Sequence, residues 1–305
     1  MLYTLSVNLS SVQRLDEAYE LSKDIVRLYR VLVAADGLPY VPGLALALRL
    51  LSVRLSDLGR NPEALPPIEE SVNLCRQLDD ANPGSYTLYL ACSLQTLSNG
   101  LYYVGRHSDA LPPMEESVSL FRKLAAPHPA SGTSDLATSL LNLSYRLSEL
   151  GRYLEALPYI EESVDLYRKL VAQDPACDTT DLALSLLHLS CVLSGLERYS
   201  EALRSVQECI TLYRQLAVVH PASHTPNLTI SLSHLSFHLS NVGRYAEALD
   251  AGKESLSLFR PFVTDYPLSY TDSLKAALRE VARALEGLGR SDEALTARME
   301  ANSLS

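Results

Sequence analysis

A phrase of the form Gly-Arg-Tyr-x-Glu-Ala-Leu recurs along the chain in many variants, and this repetition constrains the fold more than any other feature. A constant period of this kind is typical of arrays in which each repeat packs on its neighbours. The period is 46 residues without insertion or deletion, and it is marked by Ala18, Ala64, Ala110, Ala156, Ala202, Ala248 and Ala294. We therefore expect one elongated array rather than two globular domains.

A stripe of leucines precedes each of these alanines. In the central repeat it comprises Leu136, Leu140, Leu143, Leu147 and Leu150. The alternating spacings of four and three residues place them on one face of a helix, here called helix A. Small residues recur beside the stripe, where a neighbouring helix can approach closely: Ser52, Ser98, Ser144, Ser190, Ser236 and Ala282.

Glycine is expected to end helix A, because it readily adopts the left-handed conformation that closes a helix. The glycines are Gly59, Gly105, Gly151, Gly243 and Gly289, with Gln13 and Glu197 in the two remaining repeats. A second and longer helix, helix B, then starts near the Glu-Ala-Leu phrase. A proline linker closes the repeat, because proline does not continue a helix. These prolines are Pro83, Pro129, Pro175, Pro221 and Pro267.

Prolines also fall early in the predicted helix B, at Pro66, Pro67, Pro112, Pro113 and Pro158. Proline is easily accommodated only in the first helical positions. Either helix B begins a few residues later in these repeats, or it carries a kink there.

The period divides the chain into about six and a half repeats. They span 1–37, 38–83, 84–129, 130–175, 176–221, 222–267 and 268–305. Both ends of the sequence fall inside a repeat, and neither shows the polar cap that terminal repeats normally carry. We therefore expect a fragment of a longer protein.

The chain resembles the tetratricopeptide repeat family. Its signature positions are matched in the central repeat by Leu140, Leu143, Ser144, Leu147, Gly151, Tyr153, Ala156, Ile160 and Ser163. The resemblance implies an all-α fold, an α-solenoid of stacked antiparallel helix pairs that forms a right-handed superhelix with helix A on its concave face. The repeats are longer than the usual length of about 34 residues.

The phrase L-x-x-L-S-x-x-L-S-x-x-G-R-x-x-E-A-L is most similar to the long repeats attached to STAND NTPases and CHAT-type proteases. The similarity to kinesin light chains is weaker, because only Asn142 preserves part of the Asn-Asn-Leu of their helix A. The resemblance implies a protein–protein interaction scaffold, the sensor or regulatory part of a larger signalling protein. The alternatives are a cargo adaptor like kinesin light chain, and the regulatory array of an enzyme whose catalytic domain is not in this chain.

Helix-A positions outside the leucine stripe vary between repeats, as a row that faces a peptide or protein partner would. With the neighbouring tyrosines, the predicted binding groove comprises Arg49, Val53, Gln95, Asn99, Tyr102, Tyr103, Leu141, Tyr145, Leu187, Cys191, Ser233 and Phe237. The aromatic side chains would suit an extended or helical peptide. The alternative is that these are solvated positions free to vary.

Charged residues recur without variation, which indicates that the repeat itself needs them as ion pairs between repeats or as caps of backbone carbonyls. One arginine series follows the turn: Arg60, Arg106, Arg152, Arg198 and Arg244. The other lies in helix B, as Arg30, Arg76, Arg122, Arg168, Arg214 and Arg260, with a glutamate series Glu70, Glu116, Glu162, Glu208, Glu254 and Glu300.

The net charge of −10 argues against a nucleic-acid or anionic-membrane partner, since phosphate contacts need a basic surface. No stretch approaches the roughly 18 uncharged apolar residues that cross a bilayer, and the first residues lack the features of a secretory signal. We therefore expect a cytoplasmic protein. Its cysteines, scattered and five in number, form no C-x-x-C pair and predict neither disulfides nor zinc.

Three histidines, His188, His234 and His238, have a spacing at which they could converge. No acidic residue accompanies them in an H-E-x-x-H arrangement, so we expect no metal site. The sequence also lacks a phosphate-binding glycine loop, a G-x-S-x-G elbow and a kinase signature. We therefore expect no catalytic residue, no cofactor and no enzyme activity in this chain.

Overall fold

The computed structural model describes residues 14–126, 129–174, 179–265 and 267–304, without the side chains of 129–131, 264–265 and 267–269. These residues form thirteen α-helices and one short 3₁₀ helix, with no strand in the described ranges. The predicted all-α class is confirmed. Gln13, Pro175 and Cys177 lie outside the described residues.

The chain divides into two compact bodies, here called the N-terminal body, Met1–Leu150, and the C-terminal body, Gly151–Ser305. The helices of the N-terminal body are α1 Leu15–Asp36, α2 Val41–Asp57, α3 Asn61–Ala81, α4 Thr87–Tyr103, α5 Leu111–Ala125 and α6 Pro129–Glu149, with the 3₁₀ helix at Leu38–Tyr40. Those of the C-terminal body are α7 Tyr153–Gln173, α8 Thr180–Gly195, α9 Tyr199–Val219, α10 Pro221–Asn241, α11 Tyr245–Asp265, α12 Pro267–Gly287 and α13 Ser291–Ser303. The repeat boundaries stay a prediction.

Within each body, helices that follow one another in the chain pack together, as stacked helix pairs require. The even-numbered helices are the predicted A helices, and the odd-numbered ones are the B helices. The period-marking alanines have at most 1% of their surface exposed, because a partner helix covers each of them. The leucine stripe is buried as well: Leu140, Leu143 and Leu147 of α6 are at most 2% exposed.

The small residues beside the stripe are confirmed as helix contacts, and most of the serines among them also form hydrogen bonds. Ser52 Oγ donates to the carbonyl of Ala64 at 2.8 Å, and Ser98 Oγ donates to that of Ala110 at 2.7 Å. Ser190 differs, because its Oγ donates within its own helix to Leu187. A short side chain at this position therefore allows the two helices to pack closely. Where it is serine, its buried hydroxyl can also donate a hydrogen bond to a backbone carbonyl.

The turn after helix A has the predicted left-handed backbone. Gly59, Gly105, Gly151, Gly243 and Gly289 all have φ between 71° and 80°. Glu197 takes the same conformation with φ 58°, and it is the one non-glycine residue with positive φ in the described part of the chain. Its N–H donates to the Ser194 carbonyl at 2.9 Å, and the next N–H, of Arg198, donates to that of Leu193 at 2.9 Å. The closing bonds of the helix end therefore form without glycine.

The prolines early in helix B are accommodated in two ways, of which the later helix start is one that was predicted. Helix α5 begins only at Leu111, so that Pro112 and Pro113 fall in its first turn, where the missing N–H has no helical partner to lose. In contrast, α3 contains Pro66 and Pro67 in its interior, and α7 contains Pro158.

Pro83 lies in the break between α3 and α4, as predicted, whereas the other described linker prolines differ from the prediction. Pro129, Pro221 and Pro267 are each the first residue of the following helix A instead of part of a separate break. Helix A is lengthened as a result, and α10 and α11 both have 21 residues. The prediction that helix B is the longer partner is therefore wrong for this pair.

The predicted ion pairs between repeats are confirmed within each body. Arg30 pairs with Glu70 at 2.7 Å and Arg214 with Glu254 at 2.8 Å, each joining successive B helices 40 residues apart in sequence. Equivalent pairs are Arg76–Glu116, Arg168–Glu208 and Arg260–Glu300. The arginines after the turn instead pair with an acidic residue three positions on, as Arg244 does with Glu247.

One described segment, Leu38–Asp57, has the length and a mean hydropathy of 1.3 that a membrane-spanning helix would need. Arg49 and Arg54 interrupt the segment, so it is not a run of about 18 uncharged apolar residues. The same composition also occurs in the core helices of soluble proteins, and α2, which makes up most of the segment, packs its Leu44 and Leu48 in a core with Ile25 and Val26 of α1.

Candidate functional site

The C-terminal body carries a cleft of about 380 Å³ that crosses three successive A helices. Three predicted groove residues line it: Cys191 of α8, and Ser233 and Phe237 of α10. The remaining lining residues are Tyr153, Ser194, Gly195, Tyr199, His234, Ala276 and Glu280. The structure therefore brings together three of the predicted residues and adds several that the prediction did not contain.

Two tyrosines that form walls of the cleft come from the starts of B helices, Tyr153 of α7 and Tyr199 of α9. Tyr199 and Phe237 have ring centroids 6.2 Å apart in an edge-to-face arrangement. Tyr153 lies directly against Gly195, where a side chain would collide with its ring. Both tyrosines follow the arginine of the repeated Arg-Tyr phrase. This recurrence in the sequence could have identified them as candidate site residues.

The polar groups of the cleft are largely uncharged. Cys191 Sγ lies 3.7 Å from Nδ1 of His234. Burial raises the pKa of the Cys191 thiol to about 11 and lowers the pKa of the His234 imidazole, so both are neutral near pH 7. The acid of the cleft is Glu280, whose pKa burial raises. Uncharged groups and one carboxyl beside aromatic rings can hold a side chain of a ligand.

In the N-terminal body, two predicted groove residues meet around an arginine that was not predicted. Arg146 of α6 is buried, and its guanidinium donates a hydrogen bond to Asn99 Oδ1 at 2.6 Å. Its Cζ lies 4.0 Å from the centroid of the Tyr102 ring, a cation–π contact. Burial lowers the pKa of Arg146. Arg146 could have been noticed in the sequence because arginine recurs at the equivalent position two repeats earlier, at Arg54. Both arginines are buried.

The other predicted groove residues differ in exposure. Tyr103 and Tyr145 are exposed, at 60% and 43% of their surface, and Tyr103 also packs edge-to-face on Tyr102. Arg49, Val53, Gln95 and Leu187 are half-buried. Leu141 is only 5% exposed, so its side chain belongs to the core and cannot face a partner. The periodic alignment could not detect this, because it gives the position of a residue on the helix and not the neighbour that covers it.

No group of three or more His, Cys, Asp or Glu side chains in the described ranges could hold a metal ion. His238 is fully buried, whereas His234 borders the cleft. The described cysteines, Cys75, Cys92, Cys191 and Cys209, are free thiols.

Comparison with protein families confirms the resemblance to tetratricopeptide repeats. Residues 136–175 and 182–222 match the family model described as tetratricopeptide repeat. Residues 38–98 match the model described as anaphase-promoting complex subunit 5. Among curated proteins, none matches the chain.

Solved structures of several repeat proteins share the fold. One is the STAND protein PH0952 with a tetratricopeptide repeat sensor from Pyrococcus horikoshii (TM-score 0.68, 16% identity, covering 99% of this chain and 41% of that protein). A second is a putative kinesin light chain with nearly identical TPR-like repeats from Podosopora anserina (TM-score 0.53, 17% identity, 72% and 95% covered). A third is a Rap protein complexed with competence and sporulation factor (TM-score 0.57, 12% identity, 99% and 75% covered). At these identities the likeness shows the fold alone.

Proposed function

We propose that this chain, an array of tetratricopeptide-type repeats, is a scaffold that binds a peptide or a segment of another protein along its helix-A face. The observation that carries the proposal is the cleft of the C-terminal body. Its volume and its combination of aromatic walls with a few polar groups are typical of sites that bind a ligand side chain. Aromatic residues of this kind supply much of the affinity in protein–protein interfaces.

The separation of packing positions from variable positions within the repeat supports this role. The recurring small residues and ion-paired charges hold neighbouring helices together, whereas Cys191, Ser233 and Phe237 occupy variable positions on the A helices. A rigid frame with variable side chains on one face can bind a ligand with little loss of conformational entropy, because the frame is already ordered. The chain would act by binding, without chemistry of its own.

We further propose that the array is the sensor or regulatory part of a larger cytoplasmic signalling protein. The fold shared with a STAND sensor and with a Rap protein bound to a signalling factor supports this proposal. The partner would then be a separate polypeptide, an effector domain in the same full-length protein, or both. The fold shared with kinesin-light-chain repeats favours a cargo adaptor as the second candidate. An adjoining NTPase or protease domain in the full-length gene would favour the first, and an upstream heptad-repeat segment the second.

A random-peptide phage library selected on the full chain tests the binding function. We expect it to yield peptides whose affinity falls by roughly tenfold or more in Phe237→Ala, because truncation of an aromatic anchor in the cleft removes its contact area with the peptide. Phe262→Ala is the matched control, since Phe262 packs on Tyr270 outside the cleft. In the N-terminal body, combined replacement of Tyr102, Tyr103 and Tyr145 by alanine tests the second half of the predicted groove.

Failure to select any peptide would contradict the proposed function. So would peptides that bind Phe237→Ala and the triple tyrosine variant as tightly as the unaltered chain. Circular dichroism and thermal melting of each variant show whether the fold is intact, so that a loss of binding can be assigned to the surface.

A further inference from the structure

Glu280 on α12 is the acidic group of the C-terminal cleft, and its carboxylate is incompletely paired. Its side chain is only 16% exposed. Its Oε2 atom is buried and has no hydrogen-bond partner among the described residues. A carboxylate withdrawn from water without hydrogen bonds is unfavourable, and burial raises its pKa for the same reason. A donor that reaches the exposed part of this carboxyl, where it lines the cleft, would offset that cost.

Arg283, on the next turn of α12, is the cation nearest to this carboxylate. Its Nε lies 3.6 Å from Glu280 Oε2, which is too long for a hydrogen bond. Its guanidinium stacks over the Phe237 ring at 4.8 Å from the centroid, and 46% of its side chain remains exposed. Arg283 thus shows that a cation is accommodated beside Phe237, and it leaves the buried oxygen of Glu280 without a hydrogen bond.

The remaining walls of the cleft favour a cation and do not repel one. Tyr153, Tyr199 and Phe237 present aromatic rings, whose faces attract a positive charge. His234 and Cys191 are neutral near pH 7 because of their burial. Among the lining residues Glu280 is accordingly the charged one, and the positive charge beside it is that of Arg283, which stacks on Phe237.

From this geometry we infer that the cleft receives a basic side chain, lysine or arginine, of the bound polypeptide. The aliphatic stem would lie between the aromatic rings, and the charged head would donate hydrogen bonds to Glu280. Charge complementarity supports this partner, because the whole chain carries a net charge of −10 and attracts basic segments. The inference rests on the proposed peptide-binding function and specifies its chemistry at one position.

The test uses the peptides selected on the full chain from the random-peptide library. We expect them to share one lysine or arginine, and replacement of that residue by norleucine should weaken binding by about 10- to 100-fold. Glu280→Gln should weaken the basic peptide by a similar factor and should have little further effect on the norleucine peptide. Such a double-mutant cycle isolates the contact between the two groups.

Asp272→Asn is the matched control for charge, because Asp272 lies on the same helix with 97% of its side chain exposed. It should leave binding unchanged. Thermal melting should show that Glu280→Gln folds normally, since the substitution removes a poorly paired buried charge.

Arg283→Gln provides a second and independent measurement. With the internal cation gone, a basic peptide should bind a few-fold more tightly, because it no longer competes for Glu280 and Phe237. Weaker binding in Arg283→Gln, combined with selection of acidic peptides, would overturn the inference.

Peptides that require Phe237 but contain no shared basic residue, and that bind Glu280→Gln as well as the unaltered chain, would also overturn the inference. They would leave the proposed function intact. Failure to select any peptide would contradict the proposed function itself, so the two failures are distinguishable.

Discussion

The ring of Tyr153 lies so close to Gly195 that a Cβ atom on residue 195 would be 2.7 Å from its carbon atoms. The same relationship recurs between Tyr245 and Gly287, where the distance would be 2.3 Å. In both pairs the tyrosine opens a helix B, and the glycine lies at the end of the following helix A. Absence of a side chain on the glycine is therefore what allows the ring to pack there.

Replacement of Gly195 by alanine should force the Tyr153 ring to move and should destabilise the protein by about 1–3 kcal/mol, the usual cost of overpacking. It should also weaken peptide binding, because Tyr153 lines the cleft. Gly287→Ala is the matched control, since it crowds Tyr245 in the same way outside the cleft. Urea denaturation and peptide titration should show comparable destabilisation in both variants and lost affinity only in Gly195→Ala. Equal peptide affinities of the Gly195→Ala and Gly287→Ala variants would contradict a role for Tyr153 in binding.

Substitution of Glu197 by glycine should stabilise the protein by roughly 0.5–1 kcal/mol. The left-handed backbone at Glu197 is sterically unfavourable for a residue with a side chain and is not so for glycine. Glycine loses more conformational entropy on folding, which offsets part of this gain. Equilibrium urea denaturation measures the change. The reverse substitution at an equivalent turn, Gly243→Ala, should destabilise the protein. A destabilised Glu197→Gly variant would indicate that the glutamate side chain makes a compensating interaction.

Replacement of Ser236 by alanine should cost about 1 kcal/mol, because Ser236 Oγ donates a buried hydrogen bond to the Ala248 carbonyl at 2.8 Å. Leucine at the same position should cost considerably more, since it would also separate α10 from α11. The exposed Ser257 on α11 provides the control, and its alanine variant should be near neutral. Similar losses for alanine at both positions would argue against a structural role for the buried bond.

The ion pair between Arg214 and Glu254 should contribute less than about 1 kcal/mol, because both side chains are substantially exposed to water. A double-mutant cycle with Arg214→Gln and Glu254→Gln measures this coupling. It should decrease at high salt, where exposed charges are screened. A coupling that is larger, and unchanged by salt, would indicate that the pair is shielded from solvent.

Acidification from pH 6.5 to pH 4 should destabilise the protein partly through His238. Burial lowers the pKa of this imidazole to about 4, whereas an unfolded histidine has a pKa of about 6.5. The unfolded state therefore binds more protons in this interval, and the free energy of unfolding should fall by up to about 3 kcal/mol as the pH decreases.

The His238→Val variant tests this pH dependence, because the equivalent position one repeat earlier carries the buried Val192. Its stability should decrease less over the same interval, as measured by denaturant unfolding at each pH. His220→Gln, a change at an exposed histidine, should keep the slope of the unaltered chain. Parallel curves for His238→Val and the unaltered chain would contradict the assignment to His238.

Much of the repeat was predictable because its determinants are local or periodic. The left-handed turn at Gly151 follows from the conformational freedom of glycine, and burial of Leu140 follows from a spacing of about 3.6 residues per turn. The pairing of Arg214 with Glu254 could be anticipated because a charge that recurs in every repeat meets the same partner each time. The roles of the prolines were harder to predict, since helix α3 extends through Pro66 whereas α5 begins just before Pro112.

The candidate site was predicted only in part. Cys191, Ser233 and Phe237 were recognised because they vary beside an invariant frame, and they do line the cleft. Leu141 has the same position in the repeat as Ser233, yet it is buried. Variation between repeats therefore does not by itself distinguish a residue that faces solvent from one that a neighbour covers.

The sequence by itself determined the helices, their repeated contacts and the charges that link them, because each depends on spacing along one chain. Only the tertiary structure decided that Tyr153, Phe237 and Glu280, which come from three different helices, surround one cleft. It also decided that Glu280 is withdrawn from water while a basic neighbour leaves one of its oxygens without a hydrogen bond. The physical reason is that such convergence depends on how successive helices are offset and on which side chains fill the space between them.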